Sequence, residues 1–129
     1  MTRFPAPAAA LATVRYGGWL FCAPAPFAMA IAPDCAGLYA VQVLNASWTP
    51  CPFEPIQFGA SSDLAHFAVA ASHRSFARWI AHPRAGTGLF VSYAALPCTS
   101  ETALASIVAE LHRTYRMVVD HRGLLGPAG

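Results

Sequence analysis

The stretch Gly37-Leu38-Tyr39-Ala40-Val41-Gln42-Val43-Leu44 decides the fold, because it is apolar on both faces of an extended chain. Successive side chains of a strand point to opposite faces of its sheet. One face carries Leu38, Ala40, Gln42 and Leu44, and the other carries Tyr39, Val41 and Val43. A strand that is apolar on both faces is covered on both, so the pattern predicts a central strand with the Tyr39 ring in the core.

A second apolar run, Ile56-Gln57-Phe58-Gly59, follows a proline-rich connection. Prolines exclude a tight two-residue hairpin there, so we expect a longer loop between two antiparallel strands. The loop aromatics Trp48 and Phe53 are expected to cover the core. For Trp48, stacking on a nucleotide base is the alternative.

The rest of the chain supplies two helical patterns and a third strand. Ser61-Ser62-Asp63 is a helix-capping sequence, and Thr99-Ser100-Glu101 is another that precedes an apolar helix face including Val108. The sequence therefore predicts a small α/β domain of the α+β kind, with a three-stranded antiparallel sheet. The strands span about 37–45, 54–59 and 88–96, and the helices span about 61–82 and 100–116.

At 129 residues the chain is long enough for one domain with a single core. We interpret residues 1–33, rich in proline and alanine, as an arm that packs on the domain. The domain then spans residues 34–122. Residues 123–129 carry no packing signal and are expected to form a loose tail.

The composition is unusually apolar, with 56% hydrophobic and only 11% charged residues. This favours an apolar surface that is covered by a protein partner or by self-association, although a bias toward alanine also explains the composition.

The net charge of +2 indicates binding to nucleic acid only weakly. A basic strip suited to DNA phosphates is nevertheless predicted on the outer side of the second helical segment, with a merely solvated face as the alternative; its members are His73, Arg74 and Arg78. Arg113 and Arg116 are further candidates for contacts with nucleic acid.

The four cysteines show no spacing typical of zinc ligands, and they leave both reduced thiols and two disulfides open. No apolar stretch reaches the length of a membrane span, and the N-terminal residues make a poor signal peptide. We therefore expect a cytoplasmic protein with no membrane partner.

Four pieces of the chain, taken in order, resemble the GIY-YIG nuclease domain. They are Gly37-Leu38-Tyr39, Pro55 to Leu64 with Gln57-Phe58-Gly59 inside it, Leu89-Phe90-Val91-Ser92-Tyr93, and Ile107-Val108-Ala109-Glu110-Leu111. The resemblance extends from about Asp34 to Asp120. It implies a small antiparallel sheet flanked by helices and an ancestry in metal-dependent DNA cleavage.

The resemblance also assigns residues of this chain to the functional positions of the family. Tyr39 stands at the tyrosine of the first motif, and Gly59 at the glycine of the second. The other functional positions carry different residues from the family's: Gln57 for the second tyrosine, Phe67 for the arginine, Val108 for the metal-binding glutamate and Asp120 for the closing asparagine.

Phosphodiester hydrolysis at such a site needs a divalent cation held by a carboxylate and positive charge near the phosphate. Val108 cannot bind a metal, and Phe67 cannot neutralise a phosphate. Glu110 lies two residues further along the helix, about 200° around its axis. The sequence therefore predicts a catalytically inactive nuclease-like domain that binds a partner and holds no cofactor.

Two other interpretations stay open. One is a divergent endonuclease that uses Mg²⁺ or Mn²⁺ at a shifted site, built from Tyr39, Glu110 and either His66 or His73. The other is a structural or oligomer-forming domain without a ligand.

Overall fold

The computed structural model of the chain describes residues 13–48, 52–67, 76–115, 119–120 and 124–125. Eight strands occur in these ranges: Thr13–Tyr16 (β1), Trp19–Cys22 (β2), Ala25–Pro26 (β3), Gly37–Leu44 (β4), Phe53–Ser61 (β5), Leu89–Ala95 (β6), Val119–Asp120 (β7) and Leu124–Leu125 (β8). The helical segments are Leu64–Phe67 (α1), Phe76–Ile80 (α2) and Glu101–Thr114 (α3), with 3₁₀ turns at Phe27–Met29 and Ala85–Thr87.

The main sheet is antiparallel, with the strand order β3-β6-β4-β5. Strand β4 pairs with β5 on one side and β6 on the other, and its residues from Gly37 to Val43 are buried. The α+β class, the three predicted strands and the central position of β4 are confirmed. The two-residue strand β3 adds a fourth, which the prolines around it had hidden from the sequence pattern.

Strand β5 is longer than predicted, and the helix after it starts later. Ser61 still pairs with Gly37, so the strand continues to Ser61. Ser61 Oγ then accepts a hydrogen bond from the Asp63 N–H at 3.0 Å, and the Leu64 N–H donates to the Cys35 carbonyl at 2.9 Å. The capping sequence thus closes a turn, and α1 begins at Leu64 instead of Ser61.

The predicted helix over 61–82 is represented by α1 and α2, and residues 68–75 between them lie outside the described part. Helix α2 ends at Ile80, two residues earlier than expected. Pro83 disfavours a helical backbone at His82, and the His82 N–H instead closes a turn onto the Trp79 carbonyl at 3.1 Å.

Helix α3 begins as the sequence predicted. The Ser100 side chain caps it by accepting the Ala103 N–H at 3.1 Å, and Glu101 places an acid in the first turn. That charge is favourable at the positive end of the helix dipole.

Residues 13–22, inside the predicted arm, form a hairpin that belongs to the core. Gly17 and Gly18 both have positive φ, +55° and +91°, which a two-residue hairpin turn requires. Tyr16 and Phe21, both in this hairpin, have buried side chains.

Towards the end of the sequence, β7 and β8 pair with each other. Leu124–Leu125 is therefore a strand inside the predicted tail.

The side chains of β4 divide the interior into two cores. The α3-side core combines Leu38 and Ala40 with the hairpin and with α3; its buried members also include Val14, Tyr16, Phe21, Ala36, Phe58, Ala94, Leu104 and Leu111. The Tyr39-side core lies on the opposite face; its buried members are Tyr39, Val41, Leu64, Trp79, Val91 and Tyr93. Helices α2 and α3 therefore cover opposite faces of the sheet.

Candidate functional site

The site that the resemblance implies is centred on Tyr39 in β4. In the sheet register Tyr39 lies between Gly59 of β5 and Tyr93 of β6. The Tyr39 ring passes directly over Gly59, so that a Cβ at position 59 would overlap the ring and its hydroxyl. Gly59 is thus required by packing alone, because no side chain fits beneath the tyrosine.

Burial controls the chemistry of this tyrosine. It raises the pKa of the Tyr39 hydroxyl well above its ordinary value, and the adjacent Tyr93 phenol adds to the shift. The pKa of Tyr93 is raised as well, first by burial and then by the Cys22 thiol. Both phenols therefore keep their protons at neutral pH, where a general base would have to give one up.

Gln57, at the position of the family's second tyrosine, is held by an indole. The Trp79 Nε1–H donates a hydrogen bond to Gln57 Oε1 at 2.5 Å, and both side chains are buried. Trp79 reaches this point from α2, where it is the buried residue of an otherwise more exposed segment. The amide and the indole satisfy each other in the Tyr39-side core.

Val108, at the position of the family's glutamate, does not lie beside Tyr39. Val108 of α3 packs against the α3-side core, on the sheet face opposite Tyr39. Glu110 lies on the same helix and is exposed. The structure therefore brings Tyr39 and Gln57 to one face and places Val108 and Glu110 with the helix that covers the other.

The remaining predicted positions are described only in part. His66 and Phe67 lie in α1 by their backbone, and Asp120 lies in β7, while the side chains of all three are outside the described part. His73 is also outside it.

Only Arg78 of the predicted basic strip lies in the described part of the chain, where it is exposed on α2. Arg113 is exposed near the end of α3, and the two helices cover opposite faces of the sheet. Arg74 and Arg116 lie outside the described residues.

Among the side chains that the structure describes, no three His, Cys, Asp or Glu residues lie close enough together to hold a metal ion. Within the same part of the chain, Cys22, Cys35 and Cys98 are free thiols, and Cys51 is not described.

Sequence reasoning missed His112, although a signal for it existed. His112 lies one helical turn beyond Val108 and therefore on the apolar face of α3. It is 2% exposed, and its Nε2 accepts the Phe58 N–H at 3.2 Å, which satisfies a donor on the outer edge of β5. Burial lowers the pKa of His112 to about 4, against a smaller opposing effect of the Phe58 hydrogen bond.

A buried polar chain crosses the α3-side core. Gln42 Nε2 donates to Ser92 Oγ at 2.8 Å and to Tyr16 Oη at 3.1 Å, and the Tyr16 hydroxyl donates to the Phe53 carbonyl at 2.7 Å. Gln42 was the polar member of the predicted strand face. These bonds explain how it is tolerated there, although Gln42 Oε1 has no hydrogen-bond partner among the described residues.

Comparison with known proteins adds no relative: no family model, no curated protein and no solved structure matches the chain. Within the described ranges, no helix has both the length and the apolar character needed to cross a membrane.

Proposed function

We propose that this chain is a catalytically inactive, GIY-YIG-like domain that acts as a binding module. The observation that carries the proposal is the hydrogen bond from Trp79 to Gln57 in the closed Tyr39-side core. A catalytic centre must admit a phosphate and a water to the reacting groups. Here a large indole occupies the space beside the family's second tyrosine position.

Tyr39 supports the same proposal. Its hydroxyl is buried and its pKa is raised, so the residue at the first tyrosine position is poorly suited to take a proton from water. Its ring also has a packing role, because it covers Gly59. Tyr39 and Gly59, the two residues that agree with the family, are therefore both explained by packing in the core.

The divergent-nuclease alternative is less well supported. It needs Glu110 to approach Tyr39, but Glu110 is exposed on the helix that covers the opposite face of the sheet. Either histidine of that hypothesis would then lack its carboxylate partner.

Nucleic acid is the partner that we propose for the module, in the cytoplasm. The basic residues are arginines throughout, which bind phosphate well, and the net charge is positive. The free thiols in the described part fit a reducing compartment.

Self-association is a second candidate, and a specific observation favours it. Ile31 is 89% exposed and Met29 is 72% exposed, which is unusual for such large apolar side chains. Sedimentation velocity over a range of protein concentrations tests it. A concentration-dependent dimer that is lost in the double variant Met29→Ser/Ile31→Ser would support self-association, and a monomer throughout would remove this candidate.

The main proposal is tested by incubating the purified chain with single-stranded, duplex and branched DNA, and with RNA, in Mg²⁺ or Mn²⁺. We expect no cleavage. The matched control is Tyr39→Phe, which keeps the ring over Gly59 and removes only the hydroxyl. Metal-dependent cleavage by the natural chain that disappears in Tyr39→Phe would overturn the proposal and establish an enzyme.

A further inference from the structure

We propose that Trp48 and Tyr115 form a stacking platform for an unpaired base of single-stranded nucleic acid. This inference rests on the proposed binding role and names the place and the class of ligand. Of the predicted basic strip, only Arg78 lies in the described part of the chain, so the place is sought elsewhere.

The backbone that carries Trp48 is anchored by Asn45. The Trp48 N–H donates to the Asn45 carbonyl at 2.9 Å, and the Ser47 N–H donates to Asn45 Oδ1 at 3.0 Å. The Asn45 side chain in turn donates from Nδ2 to Glu54 Oε1 at 2.9 Å on the neighbouring strand. A loop aromatic whose backbone is already fixed loses little conformational entropy when a ligand binds.

Trp48 reaches the α3-side core only through another aromatic residue. Phe53, at the start of β5, packs directly on that core as expected, whereas Trp48 contacts Tyr115, which packs against it. Trp48 is half-buried, and its ring lies 6.1 Å from that of Tyr115 between centroids, tilted by 41°. The indole therefore lies at the surface against a second aromatic ring.

Tyr115 gives this pair a rigid base. Its hydroxyl accepts the Gly17 N–H at 2.9 Å, and its ring makes an edge contact with Tyr16 at 5.9 Å between centroids. Phe58 of β5 lies 5.6 Å from the same ring. Tyr115 is thus held by the hairpin, the sheet and its own helix, so the platform exists before any ligand arrives.

Two exposed arginines lie close in the chain to residues of the platform and its contacts. Arg113 is in the last turn of α3, two residues before Tyr115 and about 200° around the helix axis, and Arg15 is next to Tyr16 on β1. The Glu54 carboxylate, which accepts the Asn45 amide, would repel a phosphate on its side of the loop. Stacking on an aromatic ring with basic residues alongside is how proteins bind single strands without reading their sequence. In a duplex the base faces are already stacked and cannot reach such a ring.

The experiment measures binding of the full chain to labelled dodecamers of deoxythymidine and of uridine, and to a duplex of the same length, at low salt. We expect Trp48→Ala to weaken binding of the single strands about tenfold or more, and Trp48→Phe to stay within about threefold of the natural chain. Arg113→Ala should lower the salt dependence of binding by about one released ion. The matched control is Ile80→Ala, which removes an exposed apolar side chain of α2, on the opposite face of the sheet, and should change nothing.

Each variant is first checked for an unchanged unfolding transition. Binding of either the DNA or the RNA single strand that depends on Trp48 supports the inference, and the two arms show which of the two nucleic acids is preferred. The inference is overturned if Trp48→Ala binds as tightly as the natural chain, if the duplex binds as tightly as the single strands, or if the natural chain binds none of the three. Binding that does not depend on Trp48 overturns this inference alone, whereas a natural chain that binds none of the three also removes the nucleic-acid partner of the proposed function.

Discussion

His112 couples the stability of the domain to pH through a single side chain. Its pKa is lowered to about 4 in the folded state, whereas an unfolded histidine has a pKa near 6.5. As the pH falls through this window, the unfolded chain binds a proton that the folded chain does not, so stability is lost as the pH decreases. We expect the free energy of unfolding to fall by about 2 kcal/mol between pH 7.5 and pH 5 from this residue.

Urea denaturation of the natural chain and of His112→Gln at both pH values measures this contribution. The amide of glutamine can still accept a hydrogen bond but does not titrate, so the variant should lose distinctly less stability in acid. The other histidines are common to both proteins and cancel in the comparison. Equal pH dependence in the two proteins would contradict the assignment to His112.

At Cys98 the backbone adopts a positive φ, which is unfavourable for a residue that carries a Cβ. Cys98 follows Pro97 in a turn closed by the Thr99 N–H onto the Leu96 carbonyl at 3.3 Å, and its φ is +64°. Such a turn requires positive φ at its third residue, which glycine adopts without strain. We expect Cys98→Gly to raise the free energy of unfolding by about 0.5–1 kcal/mol, measured by thermal or urea unfolding.

The control for Cys98 is Cys98→Ala, which removes the thiol but keeps the Cβ. It should leave stability nearly unchanged. If Cys98→Ala raised the free energy of unfolding as much as Cys98→Gly does, the thiol, and not the positive φ, would be the destabilising feature.

At the scale of elements, the Tyr39 ring of β4 lies so closely over β5 that position 59 must be glycine. A Cβ at residue 59 would overlap the Tyr39 ring, so Gly59→Ala is expected to cost about 2 kcal/mol of unfolding free energy through overpacking. In a Tyr39→Ala background the same change should cost almost nothing. A double-mutant cycle in urea measures the difference.

Gly86→Ala is the matched control for Gly59, because nothing lies within contact distance of a Cβ there. We expect a change within about 0.5 kcal/mol. Additive costs of Gly59→Ala and Tyr39→Ala would contradict the packing explanation and leave the glycine unexplained.

The predictions for individual elements were accurate where one periodic pattern dominated. The doubly apolar pattern of Gly37 to Leu44 predicted a central strand, and the capping residues before Glu101 predicted the start of α3; the structure has both. The start of α1 was placed too early because a serine that caps a turn looks, in sequence, like one that caps a helix. Only the pairing of Ser61 with Gly37 distinguishes the two.

At the scale of the whole molecule, the candidate site was predictable only in part. The sequence placed Tyr39 and Gln57 at one site only through the family resemblance, and the structure brings both to the same face of the sheet. The sequence could not show that Trp79 would meet Gln57, since that contact joins residues of separate elements. Nor could it show that α2 and α3 cover opposite faces, which separates Val108 and Glu110 from Tyr39.

The central claim is that Gln57 and Trp79 form part of a core where the family resemblance implies a reaction centre. A double-mutant cycle with Gln57→Leu and Trp79→Phe tests it most directly, with unfolding in urea as the measurement. Each single variant removes the buried hydrogen bond between these two side chains and should cost about 2 kcal/mol, while the double variant should cost less than the sum by about 1–2 kcal/mol. Strictly additive costs, or single variants as stable as the natural chain, would contradict the account.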